Sequence, residues 1–290
     1  MRRLPRVTVI MPAYDYAHFL PDAIASLQAQ TCSDWECIVA DDGSTDDTAQ
    51  VMAGWMRDDL RIRYVRGEHR GVSAARNAGL ALVSAPYVQF LDADDRLEPD
   101  KLRAHVEFLD LHPEVGIVHG DAGMFGAGSG AGDIAPVAFV APVGHGPPVE
   151  AELVVHNTVM VSAPMVRRSV LDEVGGFAED LLALEDWDLW MRCAVAGVVF
   201  ARHAPPDARA LVRMHPSSSS RKTERMLAAT IDLRRRFDRL PLPASVHARN
   251  ARHLARAEVR SGLMDLRRGY LRRSSLGVLR ALRRLLGSYR

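Results

Sequence analysis

Three carboxylates fall within four residues at Asp92-Ala93-Asp94-Asp95. The run before them, Pro86 to Leu91, is apolar apart from Gln89 and predicts a buried strand that empties into the acids. Burying such a cluster unpaired is very costly, so it belongs at an open strand end. There one or two carboxylates could hold a hard divalent cation and leave positions free for phosphate oxygens. A solvated acidic turn is the plainer alternative. A second acidic stretch, Asp41-Asp42-Gly43-Ser44-Thr45-Asp46-Asp47, follows the apolar run Trp35 to Ala40. Gly43 permits a tight turn, and Ser44 or Thr45 could cap a following helix. Glu185-Asp186-Trp187-Asp188 opens a third segment, where acids are also favoured by the dipole of a helix start.

The elements that must position these residues alternate. Val7 to Met11, Trp35 to Ala40, Ile62 to Val65, Pro86 to Leu91 and Val115 to His119 predict strands. Helices are predicted after Phe19, over Val72 to Val83 and from Pro99 to Leu111. Ala75, Ala78 and Gly79 allow the second of these to pack closely. Such alternation implies βαβ units and a mostly parallel sheet, an α/β fold. Ligands of such sheets sit at the carboxyl ends of the strands, where both Asp clusters fall. Gly120 to Pro148, rich in glycine, predicts a loop beside the site, and Gly126 to Gly132 lacks dinucleotide spacing and a Walker lysine. Pro164 to Val174 and the segment from Glu185 predict further helices, and Val198 to Ala201 and Ala208 to Arg213 predict strands.

Composition sets outer bounds. The chain has 290 residues, 48% hydrophobic and 25% charged, enough for one large domain or for one domain with an appendage. Net charge is +1, which gives no general reason to expect nucleic acid as a partner. The charge is uneven: from Arg249 onward stand twelve arginines against Glu258 and Asp265. Lysine is confined to Lys101 and Lys222. Three cysteines, Cys32, Cys37 and Cys193, lack zinc or redox spacing and fit a reducing compartment. The apolar run after Met1-Arg2-Arg3 is too short for a signal peptide, and no stretch reaches the ~18 apolar residues of a spanning helix. A cytoplasmic protein is the expectation, with peripheral contact to an anionic membrane open through residues 263–290. There Leu276, Leu279, Leu282, Leu285 and Leu286 form one stripe among arginines. Packing of that stripe on the domain is the equal alternative.

Taken in order, Val9-Ile10-Met11-Pro12-Ala13-Tyr14, Asp41 to Asp46, Gly71-Val72-Ser73-Ala74-Ala75-Arg76-Asn77-Ala78-Gly79, Phe90 to Asp95, Glu185-Asp186 and Arg213-Met214-His215 closely resemble the family 2 glycosyltransferases. The resemblance covers about residues 6–220. It implies a GT-A fold: a Rossmann-like, mostly parallel sheet with flanking helices. The catalytic domain would span 1–220, with a nucleotide part to about 120 and an acceptor part at about 150–220. Residues 221–290 would form an Arg-rich helical appendage. It further implies inverting transfer of a sugar from a nucleoside diphosphate donor, a UDP-sugar favoured, to a saccharide, glycolipid or small-molecule acceptor. By motif position, Pro12, Ala13, Tyr14, Asp42 and Arg76 would form the nucleotide site, and Asp94 would contact the ribose. Asp95, with His215, would hold Mn²⁺ or Mg²⁺. Asp186 would be the general base that takes the acceptor's proton. Glu185 and Trp187 would face the acceptor sugar, although Trp187 could equally be core. A nucleotidyltransferase would instead carry a Gly-rich, Lys- or Arg-bearing loop where Pro12-Ala13-Tyr14-Asp15 stands. A non-catalytic sugar-nucleotide or polysaccharide-binding module is the other alternative, and the full set of acids weighs against it.

Overall fold

The computed structural model describes residues 4–126, 134–136, 142–215 and 223–267. They divide into two compact units that interleave along the chain. The first comprises the described residues within 1–144, 158–179 and 198–215, and the second those within 145–157, 180–197 and 216–267.

The first unit is built on a seven-stranded sheet. Its strands are β1 (Val7–Ala13), β2 (Trp35–Asp41), β3 (Ile62–Arg66), β4 (Tyr87–Phe90), β6 (Ile117–His119), β9 (Pro164–Arg167) and β10 (Phe200–Arg202). Their spatial order is β10-β6-β9-β4-β1-β2-β3. All neighbours are parallel except β9, which runs antiparallel between β4 and β6. β1 is buried at every position, as a strand covered on both faces should be. Helices α1 (Leu20–Gln28), α2 (Thr48–Asp58), α3 (Val72–Leu80) and α4 (Lys101–Leu111) connect the strands. Gly79 of α3 lies so close to β1 that a Cβ there would stand 2.7 Å from Ile10 Cγ2. Gln89, the one polar residue of β4, is fully buried and donates to the carbonyls of Phe90 and Ser162.

Three sequence expectations are corrected. Pro164 to Val174 is not one helix: Pro164–Arg167 is β9, and only Arg168–Val174 (α6) is helical. Met165 and Val166 are fully buried between β4 and β6, and that slot decides strand over helix. Gly120 to Pro148 is not all loop, because Ala122–Gly126 (β7) and Ala135–Pro136 (β8) join Arg96–Leu97 (β5) and Ala210–Met214 (β11) in a second sheet, ordered β5-β11-β7-β8. The Gly-rich stretch after Gly126 lies outside the described residues. Neither Ser44 nor Thr45 caps α2; Ser44 turns back to donate to Asp41, and Asp46 accepts from the Thr48 N–H.

The second unit is helical: α5 (Pro147–Leu153), α7 (Glu185–Val195), α8 (Thr223–Phe237) and α9 (Ala244–Arg267). It gathers around the carboxyl end of α5, whose carbonyls need donors. The Trp187 indole donates to Leu153 O at 2.6 Å, and Arg234 donates to Val154 O at 2.8 Å and Val155 O at 3.1 Å. Arg234 is buried, and that burial pulls its guanidinium down to about 10. Phe237 packs edge-on against Trp187. No helix among the described residues is long and apolar enough to cross a membrane. The leucine stripe from Leu276, and most of the 263–290 segment expected to meet a membrane, lie outside the described residues.

One buried amine gives the first unit a testable pH dependence. Lys101 is fully buried, donates to Ala163 O and lies 3.5 Å from His105 Nε2. Burial lowers its pKa from 10.5 to about 7. Between those values the unfolded chain binds a proton that the folded chain does not, so stability rises with pH there. Urea unfolding at pH 7 and pH 9.5 should show a gain on the order of 1 kcal/mol per pH unit across this window. Lys101→Met should flatten it; an unchanged slope would assign it to other groups.

Candidate active site

The carboxyl ends of β2, β1 and β4 lie side by side, and each delivers one part of the site. At the end of β2, Asp41 is buried and consumed by structure, accepting from the Ser44 N–H and from the hydroxyls of Ser44 and Tyr64. Asp42 is also buried. Its Oδ1 accepts from Arg70 N at 2.8 Å, the Gly71 N–H is shared between Oδ1 at 3.1 Å and Oδ2 at 2.8 Å, and Oδ2 also lies 2.8 Å from His69 Nδ1. Gly71 has φ +98°, a conformation that presents its N–H to Asp42 at little cost and then opens α3. Two motifs 28 residues apart are thereby clasped. A pocket of about 150 Å³ opens beside them, lined by Asp42, Arg66, Gly67, Glu68 and Arg70.

β1 ends in Pro12 and Ala13, both buried, and then Tyr14, which is exposed. Tyr14 stacks on His69, with ring centroids 4.1 Å apart and planes 22° from parallel. Asp15, at φ +53°, accepts from the backbone N–H groups of Thr45 and Asp46 and so ties the β1 loop to the β2 loop.

β4 delivers the acidic cluster, and its three carboxylates have different surroundings. Asp92 is half-buried and pairs with Arg76 at 2.6 Å. Arg76 is 2% exposed, and its guanidinium also lies over the Phe177 ring. Asp94 meets His215, with Nε2 2.8 Å from Oδ2. Asp95 is 4% exposed and has both oxygens engaged: Oδ1 accepts from Arg213 N at 3.0 Å and Oδ2 from the Ser162 hydroxyl at 2.9 Å. Burial, and then the charge of Asp92, raises the pKa of Asp94; the His215 contact opposes this. Burial, Asp92 and Asp94 push Asp95 well above the usual carboxylate range. The same field reaches Tyr16, where burial and the three acids raise the phenol to about 12. Among the described residues no three His, Cys, Asp or Glu side chains are arranged to hold a metal by themselves.

Glu185, Asp186 and Trp187 begin α7 in the second unit. Leu184, just before them, adopts the left-handed conformation at φ +67°. A left-handed leucine costs roughly 1–2 kcal/mol, and such strain concentrates at functional positions. Asp186 is half-buried, with Oδ2 accepting from Asn157 Nδ2 at 2.8 Å and Oδ1 from Trp187 N at 2.7 Å. Those two donors fix the carboxylate's orientation. Trp187 is 5% exposed, enclosed by Leu153, Arg234 and Phe237, which is the core alternative for this ring. Glu185 is partly exposed beside it.

Pro12, Ala13, Tyr14, Asp42, Arg76, Asp94, Asp95 and His215 thus belong to one unit, while Glu185, Asp186 and Trp187 belong to the other. Sequence reasoning missed three contributors. Ser162 holds Asp95 from 67 residues away, and nothing local marks it. Asn157 holds Asp186 in the same way. His69, flanked by ordinary loop residues, reveals itself only by its stack on Tyr14.

The chain resembles known proteins in sequence and in fold. The model of "Glycosyl transferase family 2" matches residues 8–127, and that of "Glycosyl transferase family group 2" matches residues 87–239. A PGL/p-HBAD biosynthesis glycosyltransferase of Mycobacterium bovis is 30% identical over 195 residues, 65% of this chain and 70% of the relative. The chain spans only 14–24% of the length of several other curated relatives. Among solved structures, S. aureus TarS 1-349 in complex with UDP-GlcNAc superposes with a TM-score of 0.69 at 19% identity, covering 96% of this chain and 79% of that one. The mannosyltransferase PcManGT of Pyrobaculum calidifontis, in complex with GDP-Man and Mn²⁺, gives 0.62 at 20% identity, over 99% and 76%. At such identities the likeness concerns the fold, which is GT-A. Since one family model spans more than half of the chain and 70% of a 30%-identical relative is matched, the chain belongs to glycosyltransferase family 2.

Proposed function

We propose that the protein transfers a sugar from a nucleoside diphosphate sugar, a UDP-sugar by preference, to a hydroxyl of a saccharide, glycolipid or small-molecule acceptor, with inversion at the anomeric carbon. The observation that carries this reading is the adjacency, in one unit, of the Tyr14–Asp42 pair and the Asp92–Asp94–Asp95 cluster at neighbouring strand ends. The first suits a base and the second a diphosphate with its cation. The TarS structure in complex with UDP-GlcNAc and the PcManGT structure with GDP-Man and Mn²⁺ support it by analogy.

Pro12 and Ala13 would floor the nucleoside, Tyr14 would stack on the base and Asp42 would accept an N–H from its edge. Arg76 would act through Asp92, holding that carboxylate while neutralising part of the cluster. The family resemblance implies Asp94 for the ribose and Asp95, with His215, for the cation. The contacts favour a different division, because Asp95 has both oxygens engaged and Asp94 carries the His215 contact. Asp94 and His215 would hold Mn²⁺ or Mg²⁺, with Asp95 as the buttress behind them. These residues fit a divalent cation, since Asp94 is an oxygen ligand whose carboxylate form is opposed by burial and by Asp92. When bound, the ion would offset charge on the departing diphosphate. Asp186, oriented by Asn157, would take the acceptor's hydroxyl proton as the acceptor oxygen bonds to the anomeric carbon. The anomeric C–O bond to phosphate breaks in the same displacement, and its electron pair leaves with the nucleoside diphosphate. No covalent nucleophile is needed.

Asp186→Asn should lower turnover by about 10²-fold or more while UDP affinity, read by titration calorimetry, changes little. A matching loss of UDP affinity would move Asp186 into the donor site. Full turnover in excess EDTA would rule the cation out.

Asp94→Asn and Asp95→Asn should part company. The first should weaken Mn²⁺-dependent UDP binding about tenfold or more. Removing the charge of Asp95 relieves a buried, repelled carboxylate, so Asp95→Asn should raise the melting temperature of the metal-free protein at pH 7.5. The rise should be roughly 2–4 °C, the shift that about 1 kcal/mol produces in a chain of this size. Because the pKa of Asp95 is raised on folding, the gain should fade as the pH falls through that raised value, where the wild-type carboxyl is neutral as well. A thermal scan from pH 7.5 to pH 4 reads this, and an Asp95→Asn protein less stable at pH 7.5 would refute it.

A further inference from the structure

We propose that His69 is a placeholder for the nucleobase: in the free protein its imidazole occupies the seat against Tyr14 and Asp42, and a donor must rotate it out to bind. The inference rests on the nucleoside reading of Tyr14 and Asp42 and adds a residue that this reading leaves unused.

A uracil in this site would do two things. It would lay a flat heterocycle on Tyr14, and it would point a ring N–H at Asp42. His69 already does both. Its ring lies on Tyr14 with centroids 4.1 Å apart and 22° between planes, too close for a base to enter between them. Its Nδ1 lies 2.8 Å from Asp42 Oδ2 and 3.2 Å from the Asp42 carbonyl oxygen, to which an Nδ1–H tautomer donates. A planar ring stacked on the aromatic, with its nitrogen on the carboxylate, is the arrangement that the base needs.

The exchange requires a side-chain rotation only. The backbone on either side is held: the Gly67 N–H bonds Asp41 O, the N–H groups of Arg70 and Gly71 bond Asp42, and the His69 backbone nitrogen lies against the Gly43 turn. A Cβ on Gly43 would stand 3.0 Å from it. The His69 side chain is 59% exposed, so turning about χ1 carries the ring into open solvent. Tyr14 and Asp42 thus keep partners in the free protein, and the donor gains only the difference between its own contacts and those of the imidazole. The base pays this difference and the diphosphate does not, so the effect of His69 must appear with uridine and vanish with pyrophosphate. A residue that supported the loop only structurally would show no such split.

Titration calorimetry of wild-type protein and His69→Ala with uridine, with UDP plus Mn²⁺, and with inorganic pyrophosphate plus Mn²⁺ tests this. Losing a stacked pair and its hydrogen bond should let uridine and UDP bind about three- to tenfold tighter to the variant, with pyrophosphate unchanged. His69→Gln, which also lacks the ring, should shift uridine the same way, and Tyr14→Ala should weaken it. If the wild-type protein binds UDP and a folded His69→Ala protein binds it equally or more weakly, the placeholder is overturned; weaker binding would make His69 a second wall of the base site. If neither protein binds UDP, the donor reading falls, and the placeholder with it.

Discussion

Three carboxylates at the end of β4 repel one another, and the fold holds them there with three separate devices. Arg76 brings a buried positive charge to Asp92, His215 meets Asp94, and Asp95 is fed by a backbone N–H and the Ser162 hydroxyl. None of the three comes from the β4 loop itself. Arg76 arrives on α3, Ser162 precedes β9, and Arg213 and His215 lie on or just after β11. Removing a partner from a buried charge costs more than the pair contributes, so the cluster constrains every element that reaches it.

That constraint explains features that otherwise look unrelated. β9 runs antiparallel in an otherwise parallel sheet and starts just after Ser162, whose carbonyl accepts from Gln89 while its hydroxyl serves Asp95. The second sheet, with β11 at its interior, brings the Arg213 N–H to Asp95. Arg213 itself stacks between Phe19 and Phe125 and pairs with Asp22, which holds its backbone in register. The raised Asp94 and Asp95 are the residual strain after these contacts are made, a repulsion that a cation would relieve.

In the second unit the same logic works on a helix end. Asp186 sits in the first turn of α7, where the dipole favours a carboxylate, and Asn157 and the Trp187 N–H fix its two oxygens. The aromatic ring beside it is spent on packing: Trp187 closes the carboxyl end of α5 together with Arg234. A sugar platform, if the acceptor uses one, has to be sought in another side chain of the surface.

Strand and helix alternation, the strand ends that carry the acids, and the ordered motifs from Pro12 to His215 were legible in the chain because they are local. Period-2 and period-3.6 patterns, turn glycines and acids after an apolar run sit within a dozen residues of one another. The segment from Pro164 was misleading for the opposite reason: a helix-like apolar run becomes β9 only because β4 and β6 leave a slot between them. Likewise, three neighbouring aspartates look equivalent in sequence. Their division into one paired with arginine, one facing a histidine and one sealed by Ser162 depends on partners 16, 121 and 67 residues away. The residue types and their order came from the sequence by itself; which partner each carboxylate meets, and which ring sits on Tyr14, was decided only when distant segments were packed together.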